Sequence, residues 1–208
     1  TQMYSALSEC NQAIVRCTCE QELFPLICRF AVQFGGMRTA WIGLLDPLTR
    51  EIRAAASFGE GSEFLRDVQV SADADSDFGH GATGLAIRRQ QAVWVQDYLN
   101  DPITAPWHER GARAGWRAAG ALPLTCNGTP VGGFMVLAGE VGAFDETIRS
   151  LLVEMAQDIS FALGSFAREA QRRQIEATLR ESERRFRDLY EKAPLAYQSL
   201  DVAGNLLE

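Results

Sequence analysis

The sequence has few histidines, no cysteine cluster with metal-binding spacing and no long apolar segment. Its 208 residues include two histidines and five cysteines. No stretch approaches the roughly 20 consecutive apolar residues that a membrane-spanning helix requires, and no signal peptide is recognisable at its start. We therefore expect a cytoplasmic protein with no membrane span in this sequence.

The number of cysteines is odd, which does not favour a disulfide framework. Cys10, Cys17, Cys19 and Cys28 lie in predicted helices, and Cys126 lies in a predicted strand. The Cys17-x-Cys19 spacing is too short for a zinc knuckle, and no second Cys/His pair follows it. We predict reduced thiols, as is usual in the cytosol, and no metal site.

Positive charge is also scarce. Lys and Arg number 20 against 27 Asp and Glu, which gives a net charge of −7. A nucleic-acid partner is not expected, because phosphate binding needs clustered basic residues. The basic residues from Arg168 to Arg187 alternate with glutamates in a predicted helix, a pattern typical of a solvated, salt-bridged surface.

The hydrophobic patterns predict an α+β fold. The predicted elements are two helical pieces over 3–34, strands at 38–45 and 51–58, a helix at 81–89, a strand at 92–96, a helix within 100–114, strands at 118–126 and 131–138, and a long helix over 145–192. Asn127-Gly128 is a hairpin turn, since both residues tolerate positive φ. This order predicts an antiparallel sheet of five to six strands with helices on its faces.

The long helix carries apolar residues at alternating steps of four and three. They are Ile148, Leu152, Met155, Ile159, Ala162 and Phe166, followed after a one-residue displacement by Ile175, Leu179, Phe186 and Leu189. This spacing predicts a coiled-coil seam and hence a homodimer with parallel helices. Because a change of register alters the local winding, we interpret the displacement as a switch element.

Several motifs between Gly79 and Leu137 occur together. They are a glycine-rich turn opening a helix, a strand ending in Asp, a DP…PW loop and a PL…G..VG hairpin, within GHGATGLAIRRQQAVWVQDYLNDPITAPW and GWRAAGALPLTCNGTPVGGFMVLAG. With AWIGLLD upstream and FDETIRSLL downstream, the chain resembles the GAF family. The resemblance implies a GAF sensor domain over 1–170.

The end of the chain resembles a second family. LRESERRFRDLYEKAPLAYQSLDVAGNLLE is similar to the entry of a PAS (sensory-box) domain, with a turn from Asp201 to Gly204. This implies a signalling helix over 171–192 and a truncated PAS start over 182–208. Histidine kinases of two-component systems, and diguanylate cyclases or cyclic-di-GMP phosphodiesterases, follow such pairs, and no residue here favours one of these outputs.

The motif Gly79-His80-Gly81-Ala82-Thr83-Gly84 matches G-x-G-x-x-G. A dinucleotide site would need a buried strand directly before it, but an acidic loop precedes it, so we interpret the glycines as a tight turn. Neither His80 nor His108 has the sequence context of a haem ligand.

The resemblance also bears on cofactors. Trp107 stands where bilin-binding relatives carry the cysteine that attaches the chromophore, so we expect no covalent bilin. Phe144-Asp145-Glu146 matches only the end of a cyclic-nucleotide pattern. The cofactor stays unknown, with haem and cyclic nucleotides not favoured. Free methionine sulfoxide reductases of this family need pocket cysteines, yet 71–116 contains none, which makes that enzyme a minor alternative.

The resemblance places a ligand pocket between the sheet and the loops from Phe78 to Trp116. Its predicted lining is Phe78, Trp94, Asp97, Tyr98, Trp107 and Trp116, with Trp41 below on the sheet. The leading hypothesis is a sensory domain without catalysis of its own, which binds a small molecule and signals through a dimeric helix. The alternative is a constitutive dimerisation or scaffold module without ligand.

Overall fold

The computed structural model describes residues 2–65, 67–192, 199–200 and 206–207. The chain begins with two helices, α1 (Gln2–Arg16) and α2 (Glu20–Gln33). Glu20 and Glu22 lie in the first turn of α2, where negative charge is favourable. After α2 ends, Gly36 adopts a φ of 72°, a conformation that glycine reaches without steric cost.

A five-stranded antiparallel sheet forms the centre of the fold, in the order β2-β1-β5-β4-β3. The strands are β1 (Thr39–Leu45), β2 (Ile52–Gly59), β3 (Val93–Val95), β4 (Ala118–Cys126) and β5 (Thr129–Ala138). The predicted turn joins β4 to β5, with Asn127 at φ 50° and Gly128 at φ 83°. Within the described residues no sixth strand joins this sheet, and Ser71 forms only an isolated bridge with Glu51.

Loops and short helices connect β2 to β4. They include 3-10 helices at Ser62–Leu65 and Pro102–Trp107, and the helices α3 (Ala82–Arg89) and α4 (His108–Ala114). They cover one face of the sheet, hereafter the loop face. The helices α1 and α2 cover the other face together with the N-terminal part of the long helix α5 (Glu146–Lys192). The α+β architecture is therefore as predicted.

The alternation of side chains along the strands separates two cores. On β5, Phe134 and Val136 contribute to the helix-face core, whereas Met135 and Leu137 contribute to the loop-face core. Successive residues of a strand point to opposite faces, so each strand supplies both cores.

The first apolar register of α5 is not an intermolecular seam, contrary to the prediction. Leu152, Met155 and Ile159 are fully buried in the helix-face core of their own chain. The spacing matches a coiled coil because a helix on a sheet and a helix on a helix need nearly the same period. The one-residue displacement in the sequence thus follows a stretch that already has its partner, and the switch interpretation loses its basis.

From Arg168 onwards the chain forms a second compact unit. Here α5 exposes its large apolar side chains, with Leu179 at 58% and Phe186 at 71% exposure. Two short strands, β6 (Ser199–Leu200) and β7 (Leu206–Leu207), pair antiparallel. The predicted turn from Asp201 to Gly204 lies outside the described residues. Over the described part of the chain, no helix combines the length and the apolar composition needed to cross a membrane.

Candidate functional site: an aromatic cavity on the loop face

A small cavity of about 30 Å³ lies on the loop face. Its walls come from the sheet, from the start of α3, from α4 and from the connection between β2 and α3. The lining residues are Trp41, Phe64, Leu65, Val68, Val70, Gly81, Ala82, Thr83, Tyr98, Thr104, Trp107, Arg110, Trp116, Met135 and Leu137. The volume is enough for about one water molecule, so aromatic side chains fill most of the space.

Trp116 and Tyr98 pack against each other in this cavity. Their ring centroids are 6.0 Å apart in an edge-on arrangement. The Trp116 Nε1–H donates to Thr39 Oγ1 at 2.8 Å, and the Thr39 hydroxyl donates in turn to the Glu60 carbonyl. Burial raises the pKa of the Tyr98 hydroxyl above its usual range. Tyr98 is thus neutral at physiological pH, and Trp116 is held by a buried hydrogen bond.

The outer wall of the cavity is irregular backbone that Trp107 and Arg110 hold in place. The Trp107 Nε1–H donates to the Gln69 carbonyl at 3.2 Å. Arg110 Nη1 donates to the Phe64 carbonyl at 2.7 Å. Buried backbone carbonyls outside regular structure need such donors, so these two side chains both line the cavity and fix its wall.

Trp41 differs from the other two cavity tryptophans. Its side chain is 1% exposed, yet its Nε1–H has no hydrogen-bond partner among the described residues. An unsatisfied buried donor costs free energy comparable to a lost hydrogen bond. Each such group in a folded protein calls for an explanation.

The glycines of the G-x-G-x-x-G motif are explained by close packing. A Cβ on Gly81 would lie 2.5 Å from the Trp107 ring, and a Cβ on Gly84 would lie 2.3 Å from the Ser71 carbonyl oxygen. The first N–H groups of any helix lack an intrahelical acceptor, and Gly81, which precedes α3, provides no side-chain cap for them. The motif therefore brings the start of a helix against the cavity.

The structure brings together four of the aromatic residues considered from sequence. Tyr98, Trp107 and Trp116 line the cavity, and Trp41 lines it from the sheet. Phe78 packs on Trp107 with centroids 6.3 Å apart, but it borders a neighbouring groove of about 770 Å³ between β2 and residues 68–78.

Trp94 and Asp97, which were also predicted to line the pocket, lie outside the cavity. Trp94 packs against the helix-face core and stacks on Phe144 at 5.4 Å. Its neighbour Val95 faces the cavity side, and alternation along β3 therefore turns Trp94 away. Asp97 accepts a hydrogen bond from Asn100 Nδ2 at 2.8 Å, which stabilises the turn after β3.

Sequence reasoning missed the outer wall and Arg110. Phe64 and Leu65 lie in a 3-10 helix of four residues and Val68 lies in a loop, and segments this short have no periodicity to reveal their buried side. A signal did exist for Met135 and Leu137. They alternate with Phe134 and Val136 on β5, so they must face the same side of the sheet as each other.

Neither histidine lines the cavity. The His108 Nε2 lies 3.1 Å from the Asp101 carbonyl and 3.2 Å from Thr104 Oγ1, which gives it a local structural role at the start of α4. His80 is exposed. In the described part of the chain no cluster of His, Cys, Asp or Glu has the arrangement of a metal site.

The cysteines also lie away from the cavity lining. Burial raises the pKa of Cys10 and of Cys28 to about 12 in each case, with Asp158 adding to the shift at Cys10. A thiol with so high a pKa is a poor nucleophile at neutral pH. Cys126 is half-buried at the end of β4. The described residues therefore place no thiol where a ligand in the cavity would meet it.

A hydrogen-bonded clamp joins β3 to the start of α5. Gln96 Nε2 donates to the Phe144 carbonyl at 2.7 Å, and the Phe144 N–H donates to Gln96 Oε1 at 3.3 Å. Arg149 Nε donates to the same carbonyl at 2.9 Å, and its guanidinium lies 5.6 Å from the Trp94 ring centroid. The clamp connects the strand that carries Val95 to the helix that leaves the domain.

Comparison with known proteins identifies a family for this chain. A family model described as GAF domain matches residues 17–164. No curated protein matches the chain.

Three solved structures illustrate the structural similarity. A GAF domain from a phosphoenolpyruvate-protein phosphotransferase of Coxiella burnetii has a TM-score of 0.68 at 16% identity, covering 82% of this chain and 97% of its own. Free methionine-R-sulfoxide reductase from Neisseria meningitidis gives 0.67 at 19%, covering 81% and 91%. A domain from a protein described as a two-component sensor histidine kinase of Sinorhizobium meliloti 1021 gives 0.58 at 19%, covering 75% and 98%. At these identities the similarity shows the fold alone.

Proposed function

Because the chain belongs to the GAF domain family, we propose that it is a cytoplasmic sensory domain that binds a small molecule in the loop-face cavity. Binding is transmitted through α5, in a homodimer, to a PAS domain that begins within residues 182–208. The output domain beyond it is a histidine kinase or an enzyme that makes or degrades cyclic-di-GMP.

The observation that carries this proposal is the composition of the cavity. Its lining is apolar and aromatic, with a few hydrogen-bonding groups, which is the usual character of a small-molecule site. Among the described residues it brings together neither a thiol with a base nor a group of metal ligands. The arrangement is suited to binding, and its described lining offers no thiol.

The clamp between Gln96 and Phe144 supports transmission from this cavity. Val95 on β3 packs in the loop-face core, and Gln96 directly after it holds Phe144, two residues before α5 begins. A ligand that binds more tightly when β3 takes one of two positions shifts the equilibrium toward that position. Through the clamp, that shift reaches the first turn of α5.

The exposed part of α5 supports a parallel dimer. Ile175, Leu179, Phe186 and Leu189 recur at steps of four, seven and three residues, as seam positions a and d do. The flanking e positions are glutamates, Glu169, Glu176 and Glu183. Antiparallel helices would bring these glutamates face to face, whereas parallel helices pair Glu176 with the g position Gln171 and Glu183 with the g position Thr178.

Two other functions are alternatives to this proposal. A constitutive dimerisation or scaffold module would use the same exposed helix and leave the cavity closed. A methionine sulfoxide reductase activity, suggested by the fold of the Neisseria enzyme, would need a reactive thiol beside the bound substrate. Cys10 and Cys28 have a high pKa and Cys126 is not among the residues that line the cavity, so none of the three supports that enzyme.

Native mass spectrometry of the purified chain is the direct test. We expect a dimer that carries a small organic molecule and releases it on unfolding. The variant Ala82→Leu fills space at the cavity and should abolish this extra mass. A matched control is Ala55→Leu, which adds the same atoms at an exposed position in the neighbouring groove.

The two variants separate the possible results. Retention of the extra mass by Ala82→Leu and its loss from Ala55→Leu would move the ligand site to the groove. A dimer free of any small molecule, and not stabilised against heat by metabolites, would favour the scaffold module instead.

A further inference from the structure

The unpartnered Trp41 N–H indicates what kind of molecule the cavity binds. Three tryptophans line the cavity, and two of them donate to acceptors of the protein, Trp107 to Gln69 and Trp116 to Thr39. Trp41 is as deeply buried but donates to no described residue. The start of α3 adds backbone N–H groups without intrahelical acceptors. The Trp41 N–H therefore lacks a hydrogen-bond acceptor in the described part of the chain, and the start of α3 lies against the same cavity.

The acceptor is better supplied by a neutral group than by an anion. Arg110 is the charged residue in the described lining, and its guanidinium already donates to the Phe64 and Asp67 carbonyls. These two hydrogen bonds hold the guanidinium on the loop carbonyls, and a buried carboxylate or phosphate would compete with those carbonyls for it. The attraction of a helix N-terminus is several times weaker than the cost of burying such an ion.

The surrounding surface favours an aromatic or otherwise flat apolar body. The cavity of about 30 Å³ has to widen to admit more than a water molecule. The connection between β2 and α3 contributes Phe64, Leu65, Val68 and Val70 to the lining. This wall is held by the side chains of Arg110 and Trp107 on backbone carbonyls. Outward movement of the wall leaves the rings of Trp41, Tyr98 and Trp116 to pack on a ligand.

From these observations we infer that the cavity binds an uncharged, largely apolar ligand whose carbonyl-type oxygen or ring nitrogen accepts a hydrogen bond from Trp41 Nε1–H. This inference rests on the proposed sensory function and specifies its ligand class. It disfavours zwitterionic amino acids, free methionine sulfoxide among them, and cyclic nucleotides. Trp41 is assigned as the residue that selects for the acceptor.

Three probes with the same ring test the ligand class. Benzamide is neutral and carries an acceptor, benzoate carries the acceptor as an anion, and toluene has no strong acceptor. Each is titrated into the whole chain while the indole N–H signals of Trp41, Trp94, Trp107 and Trp116 are followed by ¹H–¹⁵N NMR. We expect benzamide to bind most tightly and to shift the Trp41 signal, with Trp94, on the other face of the sheet, unmoved.

The variant Trp41→Phe keeps an aromatic ring but removes the donor. We expect it to weaken benzamide binding about tenfold, the usual value of one hydrogen bond in a buried site, and to leave toluene binding unchanged. The matched variant Trp94→Phe should alter neither. Equal affinity for benzoate and benzamide, or unaltered benzamide binding by Trp41→Phe, would overturn the inference while leaving a ligand-binding cavity in place.

Failure of the proposed function has a different signature. The cavity signals of Trp41, Trp107 and Trp116 would then respond to none of the three probes, and native mass spectrometry would show an empty dimer. A single trapped water on Trp41 would be the remaining explanation of its missing partner, and the inference would fall with the sensory proposal.

Discussion

The two faces of the sheet are closed by different means. On the helix face, α1, α2 and α5 satisfy their own backbone hydrogen bonds, so their side chains need only be apolar. On the loop face, the cover is irregular backbone whose carbonyls require donors. Trp107, Arg110 and Arg88 supply them, Arg88 with a 2.6 Å hydrogen bond from Nη1 to the Gly79 carbonyl.

This contrast explains why the loop-face core is rich in tryptophan. An indole ring offers a large apolar surface together with one N–H donor. It can therefore fill space and hold a loop at once, as Trp107 does through the Gln69 carbonyl. The helix face has no such need, and Leu152, Met155 and Phe134 fill it instead. The difference shows that side chains can hold a loop over a sheet where no helix covers it.

The largest expected effect comes from the helix face. Leu152→Ala removes a fully buried side chain of α5 and should lower the free energy of unfolding by about 3 kcal/mol, because it leaves a cavity in a packed core. Urea denaturation measures this loss. The matched variant Leu179→Ala, at an exposed position of the same helix, should change it by less than about 0.5 kcal/mol under monomeric conditions.

The same pair of variants separates the two registers of α5. Leu179→Ala should weaken dimerisation in sedimentation experiments, and Leu152→Ala should not while the protein is folded. The reverse pattern would restore the original prediction that the first register is the intermolecular seam.

On the loop face, a smaller effect distinguishes tryptophans that donate from the one that does not. Trp116→Phe removes the donor to Thr39 and should cost about 1 kcal/mol more stability than Trp41→Phe, which loses no hydrogen bond within the protein. Both changes shrink an indole to a phenyl ring, so they are matched in volume. Urea unfolding followed by far-UV circular dichroism avoids the altered fluorescence. Equal losses would show that Trp116 contributes through packing alone.

Much of the fold could be predicted from the sequence because its signals are local. The Asn127-Gly128 turn, the glycine-rich turn before α3 and the hydrophobic patterns of the strands each depend on a few neighbouring positions. The order of those elements then leaves few sheet arrangements. The family resemblance was carried by the same turn and hairpin residues that the structure places around α3, β4 and β5.

The site was harder to predict because its walls are set by tertiary contacts. Nothing in the sequence around Phe64 or Arg110 announces that a guanidinium will hold a loop carbonyl. Trp94 is a different case, because its alternation with Val95 already indicated that the two side chains lie on opposite faces of the sheet. The α5 register could not be assigned from spacing, because packing on a sheet and packing on another helix leave the same pattern.

The smallest expected effect is a pH dependence on the helix face. Burial, and secondarily the nearby Glu154, raise the pKa of the Asp158 carboxyl above its ordinary value, and the buried Cys10 thiol lies within its electrostatic influence. The folded state therefore tolerates the ionised carboxylate less well than the unfolded state does. This penalty is fully present above the raised folded pKa, and it disappears as the pH falls through that pKa to below the ordinary value of aspartate.

Asp158→Asn should therefore raise the melting temperature at pH 7. The corresponding gain in the free energy of unfolding is less than about 0.5 kcal/mol, and it should vanish near pH 3 to 4. Glu154→Gln, which removes only the secondary cause, should give a smaller gain over the same range. A gain from Asp158→Asn that did not change with pH would mean that the amide improves packing there, and that the charge of Asp158 does not matter.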